Sequence, residues 1–172
     1  MLGLDAPAGN RREFMPRVPP GARGGPHSPR PEVRTGGRAS ITVLLIDDRS
    51  LFGESLAAAI NASAPDVTVS HRRSAAALAD LSAALRGADV VLVNIGRADP
   101  AKGGIGQILN ALSGGAAHPP VALLADRPGP AVTDAAARLG MRGVLSGRMP
   151  LAEVIAALRL IHDGGTVSPD PG

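Results

Sequence analysis

Cysteine, tryptophan and tyrosine are absent from the 172-residue chain, and phenylalanine occurs only twice, as Phe14 and Phe52. Without cysteine, the chain can form neither a disulfide nor a cysteine-based zinc site. Two aromatic rings are too few to build the stacking platform on which single-stranded nucleic acid binds. The four histidines, at positions 27, 71, 118 and 162, are not spaced as metal ligands, and we expect them to be ordinary surface or loop residues.

Long apolar runs are missing as well. No stretch approaches the roughly 20 apolar residues that a membrane-spanning helix needs. The arginines near the N-terminus are not followed by the apolar segment of a signal peptide. These features predict a cytoplasmic protein that makes no membrane contact.

Excess positive charge is confined to the first part of the chain. Residues 1–40 hold seven arginines and three acids, a net charge of +4, whereas residues 41–172 hold eleven basic and twelve acidic residues, a net charge of −1. The first segment also contains seven prolines and seven glycines without an apolar period, so it cannot bury enough surface to offset its ordering entropy. We predict a disordered tail over 1–40, one domain over 41–168 and a short tail over 169–172.

Short β-branched apolar runs alternate with apolar residues at helical spacing from Ile41 onward. Strands are predicted over 41–46, 67–69, 89–94, 121–124 and 143–145. Helices are predicted over about 51–61, 75–85, 105–112, 132–139 and 151–161. We expect Ser50 and Ser74 to cap the first two helices, and the glycine pair 114–115 to end the third. The alternation predicts an α/β fold, a three-layer doubly wound (βα)5 parallel sheet.

Polar residues stand where the ligand site of such a sheet is expected. With the strand order 2-1-3-4-5, ligands bind beyond the carboxyl ends of strands one and three. That edge carries Asp47 and Asp48 after strand one and Asn94 at the end of strand three, with Ala125 and Gly147 nearby after strands four and five. The turn after strand one is not glycine-rich, and the chain has neither a phosphate-cradling loop nor a nucleophile elbow.

The stretch from Ile41 to about Ser168 resembles the receiver domain of bacterial response regulators, of the NarL/LuxR type. The matching segments are VLLIDD at 43–48 with SLF at 50–52, ADVVLV at 88–93, LGMRGVL at 139–145, and the last helix with its glycine exit at 151–165. Each motif is short, and their order and spacing carry the resemblance. It implies the flavodoxin/CheY-like form of the predicted sheet.

The family's chemistry requires residues that this chain largely lacks. In receivers, an acidic pair after strand one holds Mg²⁺, and an aspartate ending strand three accepts the phosphoryl group as an acyl phosphate. A hydroxyl after strand four and a lysine after strand five bind the phosphoryl oxygens. Asp47 and Asp48 match the acidic pair. The acceptor, hydroxyl, lysine and aromatic switch positions are occupied by Asn94, Ala125, Gly147 and Val144, respectively.

These departures predict a receiver module that takes no phosphoryl group, is not an enzyme, and acts by binding a protein partner in bacterial signalling or transcriptional regulation. We do not expect Arg148 or Lys102 to replace the missing lysine. We expect no cofactor and at most weak Mg²⁺ binding by Asp47 and Asp48. The alternative interpretation is that these two aspartates are solvated loop residues, one of which caps the first helix.

A helix-turn-helix domain follows the receiver in NarL/LuxR-type regulators, and here the chain ends where that linker would begin. We therefore expect no DNA-binding domain in this chain, which is either a stand-alone module or a piece of a longer regulator. The family's pairing surface predicts a homodimer through 132–139 and 151–161. Two other hypotheses stay open: a phosphorelay receiver whose acceptor has moved to Asp47 or Asp48, and a DNA-associated regulator that binds through the basic tail.

Overall fold

The computed structural model describes residues 40–113 and 118–168. The tails predicted over 1–40 and 169–172 therefore lie outside the described residues, apart from Ser40. The glycine pair predicted to end the third helix lies outside them too. The two tails and the glycine end of the third helix therefore stay predictions.

A single five-stranded sheet forms the centre of the described part of the chain. All of its strand pairs are parallel, and the strands lie in the order 2-1-3-4-5. This confirms the predicted doubly wound α/β sheet. The strands are β1 (Ile41–Ile46), β2 (Val67–Arg72), β3 (Val90–Gly96), β4 (Val121–Ala125) and β5 (Gly143–Ser146).

Two strands end two or more residues later than predicted, whereas β4 and β5 end one residue later. β2 runs on to Arg72, which pairs with Ile46 of β1. β2 lies at an edge of the sheet, and its alternate residues are polar and exposed. Its sequence therefore lacks the continuous apolar run that is typical of a strand buried on both faces. β3 continues past Asn94 to Gly96, where its register against β4 shifts. A register shift of this kind leaves no periodic signal in the sequence.

Six helices occur in the described residues, one more than predicted. They are α1 (Ser50–Ser63), α2 (Ser74–Ala79), α3 (Leu81–Leu85), α4 (Gly103–Ala111), α5 (Pro130–Arg138) and α6 (Leu151–His162). The single helix predicted over 75–85 is wrong, because Asp80 interrupts it with φ −149° and ψ 80°. The Asp80 carboxylate instead accepts a hydrogen bond from the N–H of Ala83 at 2.9 Å and caps α3.

The predicted N-caps of the first two helices are also wrong. Ser50 and Ser74 are the first residues of α1 and α2, and the cap positions are Arg49 and Arg73. Neither arginine makes a side-chain capping hydrogen bond. In α2, the N–H of Ser74 donates instead to a carboxylate oxygen of Asp48.

Helices cover both faces of the sheet and produce the three predicted layers. α1 and α6 bury Ile60 and Leu158 against a face that includes Leu45. α2 to α5 bury residues such as Ile108 against the opposite face, which includes Leu44. Neighbouring residues of β1 thus point to opposite layers, as strand geometry requires. No helix in the described ranges is long and apolar enough to cross a membrane.

An ion pair ties the last helix to the turn before β2. Arg159 of α6 donates from Nε and Nη2 to the two carboxylate oxygens of Asp66, at 2.9 and 2.6 Å. This bidentate hydrogen bonding raises the pKa of Arg159, because the aspartate stabilises the charged guanidinium. The contact joins residues that are 93 positions apart in the chain.

Candidate functional site

Asp47 lies directly beyond β1, with its side chain only 2% exposed. Its Oδ2 accepts a hydrogen bond from Nδ2 of Asn94 at 2.6 Å, and its Oδ1 accepts one from the N–H of Arg49 at 2.9 Å. The interpretation of Asp47 as a solvated loop residue is therefore wrong. Burial of a carboxylate is costly unless its oxygens are hydrogen-bonded, and both oxygens of Asp47 are.

Asn94 is held in one orientation by a second hydrogen bond. Its Oδ1 accepts from the N–H of Gly96 at 3.0 Å, while its Nδ2 donates to Asp47. The opposite amide orientation would face an oxygen with a carboxylate oxygen. Gly96 has φ +56°, a left-handed conformation that glycine adopts without a Cβ penalty, and it lies at the register shift of β3. The shift thus fixes the amide N–H of Asn94 toward Asp47.

The carboxylate of Asp48 is hydrogen-bonded to the first residue of α2. Its Oδ1 accepts a hydrogen bond from the Ser74 N–H at 2.8 Å, and Oγ of Ser74, which lies 2.8 Å from both carboxylate oxygens, donates its single hydrogen to the same carboxylate. Asp48 therefore satisfies a first-turn donor of α2. This corrects the alternative in which one of the two aspartates caps the first helix. Gly104 packs closely here, since a Cβ at that position would lie 2.7 Å from Ser74 Oγ.

The guanidinium group of Arg49 lies between the carboxylates of Asp47 and Asp126. Nε of Arg49 is 3.4 Å from Oδ1 of Asp47, and Nη1 is 3.7 Å from Oδ1 of Asp126. The guanidinium also covers the ring of Phe52, with 4.4 Å between Cζ and the ring centroid. Arg97 reaches the other oxygen of Asp126, at 3.5 Å, and its side chain is 80% exposed.

These residues surround a cleft of about 370 Å³ at the carboxyl edge of the sheet. The structure therefore brings together three residues predicted for this site, Asp47, Asp48 and Asn94. Sequence reasoning missed Arg49 and Asp126, both of which line the same cleft. Asp126 directly follows β4 and Arg49 lies three residues beyond β1, and this position after a strand is the sequence signal that could have found them.

Ala125 and Gly147 meet beside the cleft, as their positions in the sequence predicted. The N–H of Gly147 donates to the carbonyl oxygen of Ala125 at 2.7 Å. A Cβ added to Gly147 would lie 3.3 Å from the Cα of Asp126. Neither residue presents a polar side-chain atom to the cleft, because one has a methyl group and the other only hydrogen.

Lys102 and Arg148 do not line the cleft. Nζ of Lys102 lies 3.2 Å from Oδ2 of Asp99, within its own loop. The pKa of Asp99 is lowered because the N–H of Ala101 donates to its carboxylate and Lys102 is close. Arg148 donates from its backbone N–H to Oγ of Ser146 at 3.2 Å.

Comparison with known proteins identifies the fold. No family model matches the chain, and no curated protein matches it. Solved structures do match. The isolated receiver domain of RcsB from Salmonella enterica serovar Typhimurium, determined with the phosphomimetic BeF3⁻, is 17% identical with a TM-score of 0.60, covering 76% of this chain and 94% of that one. The chain has the receiver fold.

Two further solved structures support the same assignment. A LuxR family DNA-binding response regulator from Silicibacter pomeroyi is 20% identical with a TM-score of 0.59, over 76% of this chain and 98% of that one. A structure of two RcsB dimers bound to two parallel DNAs gives 17% identity and a TM-score of 0.60, over 76% of this chain and 64% of that one. At these identities the similarity establishes the fold alone.

The receiver fold implies a Mg²⁺ site, which the cleft does not fit while the guanidinium of Arg49 lies beside Asp47. Magnesium prefers oxygen ligands in octahedral geometry. Both oxygens of Asp47 and both oxygens of Asp48 already accept hydrogen bonds from the chain, and Asn94 turns its N–H inward. No cluster of three or more histidine, aspartate or glutamate side chains that could hold a metal occurs within 40–113 and 118–168.

Proposed function

We propose that this chain is an atypical receiver module of bacterial signal transduction or transcriptional regulation. In this proposal it binds a protein partner without accepting a phosphoryl group, and it is not an enzyme. The observation that carries the proposal is the 2.6 Å hydrogen bond from Nδ2 of Asn94, at the receiver's acceptor position, to Oδ2 of Asp47.

The chemistry of Asn94 supports this proposal. An acyl phosphate forms when a carboxylate oxygen attacks phosphorus, and an amide is a poor nucleophile for that reaction. The amide oxygen of Asn94 is neutral and already accepts the N–H of Gly96. Ala125 and Gly147 supply no hydroxyl or ammonium group to bind the phosphoryl oxygens, so charge stabilisation in the transition state is missing as well.

The hypothesis of a relocated acceptor is less well supported by the geometry. Asp47 is buried and both of its oxygens accept hydrogen bonds from neighbouring groups. Asp48 is more exposed, but both of its oxygens are held by Ser74. A nucleophilic oxygen would have to give up these partners before it could reach phosphorus.

The homodimer stays a prediction. The comparison with RcsB dimers bound to DNA favours a partner of this kind, and the family's pairing surface corresponds to α5, β5 and α6. Of the three consecutive alanines in α5, only Ala137 is exposed, since Ala135 and Ala136 are buried. Of these three small side chains, only that of Ala137 therefore lies on the surface of α5, where a partner would approach.

Three other expectations also stay predictions. They are the cytoplasmic location, the absence of a DNA-binding domain from this chain, and the hypothesis of DNA binding through the basic tail. The tail hypothesis concerns residues outside the described ranges. DNA binding of this type would weaken steeply with salt.

Intact-mass spectrometry after incubation with acetyl phosphate and Mg²⁺ tests the proposal. We predict that the native protein keeps its mass, because no carboxylate occupies the acceptor position. The matched variant Asn94→Asp restores a carboxylate at that position and controls for the rest of the site. Addition of a phosphoryl group to the native protein would contradict the proposal, and peptide mapping would then distinguish Asp47 from Asp48.

A further inference from the structure

The cleft contains a fixed positive charge supplied by the chain itself. Arg49 lines the cleft and lies within ion-pair distance of both Asp47 and Asp126, and its side chain is 46% exposed. Arginine stays charged at all physiological pH values and is more weakly hydrated than an ammonium group. It is therefore suited to a permanent position between two carboxylates.

We propose that Arg49 is the built-in cation of this cleft and that it excludes divalent cations from Asp47. In receiver chemistry that charge-balancing position is held by Mg²⁺. Here the guanidinium bridges Asp47 and Asp126, and the Asn94 amide completes the hydrogen bonding of Asp47. The inference rests on the proposed function in that the cleft carries out no metal-dependent phosphoryl transfer.

The surroundings of Arg49 are shaped to hold its guanidinium in place. A Cβ at Gly96 would lie 3.3 Å from Cζ of Arg49, so a side chain at this position would crowd the guanidinium. The left-handed backbone at Gly96 favours glycine there in any case. Phe52 supports the guanidinium by a cation–π contact. Gly96, at the register shift of β3, and the ring of Phe52 thus both lie next to the guanidinium of Arg49.

Arg97 provides a matched control for the charge of Arg49. Both arginines contact Asp126, but of the two only Arg49 also contacts Asp47. Arg97 is 80% exposed, so solvent and salt screen its effect on the cleft. A general effect of net charge would be the same for the two substitutions, whereas local exclusion of a cation would appear only on removal of Arg49.

Mn²⁺ binding to the full chain tests the inference, with paramagnetic broadening of the backbone amides of Asp47 and Gly96 as the readout. We expect Arg49→Gln to bind Mn²⁺ about tenfold or more tightly than the native protein, as measured by the broadening of these amides, because a positive charge next to Asp47 is removed. Arg97→Gln should stay within about twofold of the native protein. Arg49→Met, which keeps an apolar contact with Phe52, should behave as Arg49→Gln does.

A second measurement follows binding through stability. MgCl2 at fixed ionic strength should raise the urea midpoint of Arg49→Gln and leave those of the native protein and Arg97→Gln unchanged, because a ligand stabilises the state that binds it. Equal Mn²⁺ binding by the native protein and Arg49→Gln, or an equal gain in Arg97→Gln, would overturn the inference. Either result would leave the proposed function standing if acetyl phosphate still failed to modify the native chain.

Discussion

At the scale of single residues, the side-chain amide of Asn94 sets this cleft apart most directly from a site with a carboxylate at the same position. The amide nitrogen of Asn94 donates to Asp47, where an aspartate would place a second carboxylate oxygen. Two carboxylates in contact repel each other unless a cation or a proton lies between them. Asn94 therefore stabilises the cleft without a cation, and under the proposed function the same amide leaves no carboxylate at the acceptor position.

Replacement of Asn94 by aspartate should destabilise the metal-free protein. We expect the free energy of unfolding to fall by about 2 kcal/mol at neutral pH, because the new carboxylate is buried beside Asp47 and loses the amide's hydrogen bond. Urea denaturation followed by far-UV circular dichroism measures the change. The control Asn110→Asp, at an exposed position in α4, should change stability by less than about 0.5 kcal/mol. An unchanged stability of Asn94→Asp would contradict the charge argument.

At the scale of elements, α1 approaches β2 closely because the helix carries a glycine. A Cβ at Gly53 would lie 2.4 Å from Cδ2 and Nε2 of His71. His71 donates from Nε2 to the backbone oxygen of Asp47 at 2.8 Å, so its ring connects the edge strand to the loop that begins the cleft. Because Gly53 has no Cβ, it leaves the space between α1 and the cleft loop that the His71 ring occupies.

Gly53→Ala should lower the free energy of unfolding, whereas a glycine-to-alanine change in a helix usually raises it. In a helix that change ordinarily stabilises by about 1 kcal/mol. Here we expect a loss of about 1–2 kcal/mol, because the methyl group displaces the His71 ring and breaks its hydrogen bond to Asp47. Urea denaturation measures it, with Ser55→Ala on the exposed face of α1 as the control. A more stable Gly53→Ala would refute the close contact.

Local sequence patterns predicted some features of the strands and helices correctly and missed others. The bounds of β1 were predicted correctly, because a continuous β-branched run buried on both faces has few competing interpretations. The break at Asp80 was missed, because alanine and leucine at helical spacing continue across it. Likewise, Ser74 was predicted to cap α2. The group that accepts a hydrogen bond from the first turn of α2 is instead the carboxylate of Asp48, which is 26 residues away in the chain.

At the scale of the whole molecule, topology predicted the meeting of Asp47, Asp48 and Asn94. The carboxyl ends of β1 and β3 are adjacent in a sheet of this order, so any side chains there share one edge. The pairing of Arg49 with Asp126 could not be predicted in the same way. It depends on the turn after β4 and the register shift in β3 together, and neither is visible from local composition.

The most direct test of phosphorylation independence is a pair of ¹H–¹⁵N NMR spectra of the native chain, recorded with Mg²⁺ before and after addition of beryllofluoride. This phosphomimetic was present with the RcsB receiver domain. The backbone amides of Asp47, Gly96 and Asp126 report on the cleft. We predict unchanged spectra, because Asn94 offers no carboxylate to hold the mimic. Saturable shifts confined to these three amides would contradict the account.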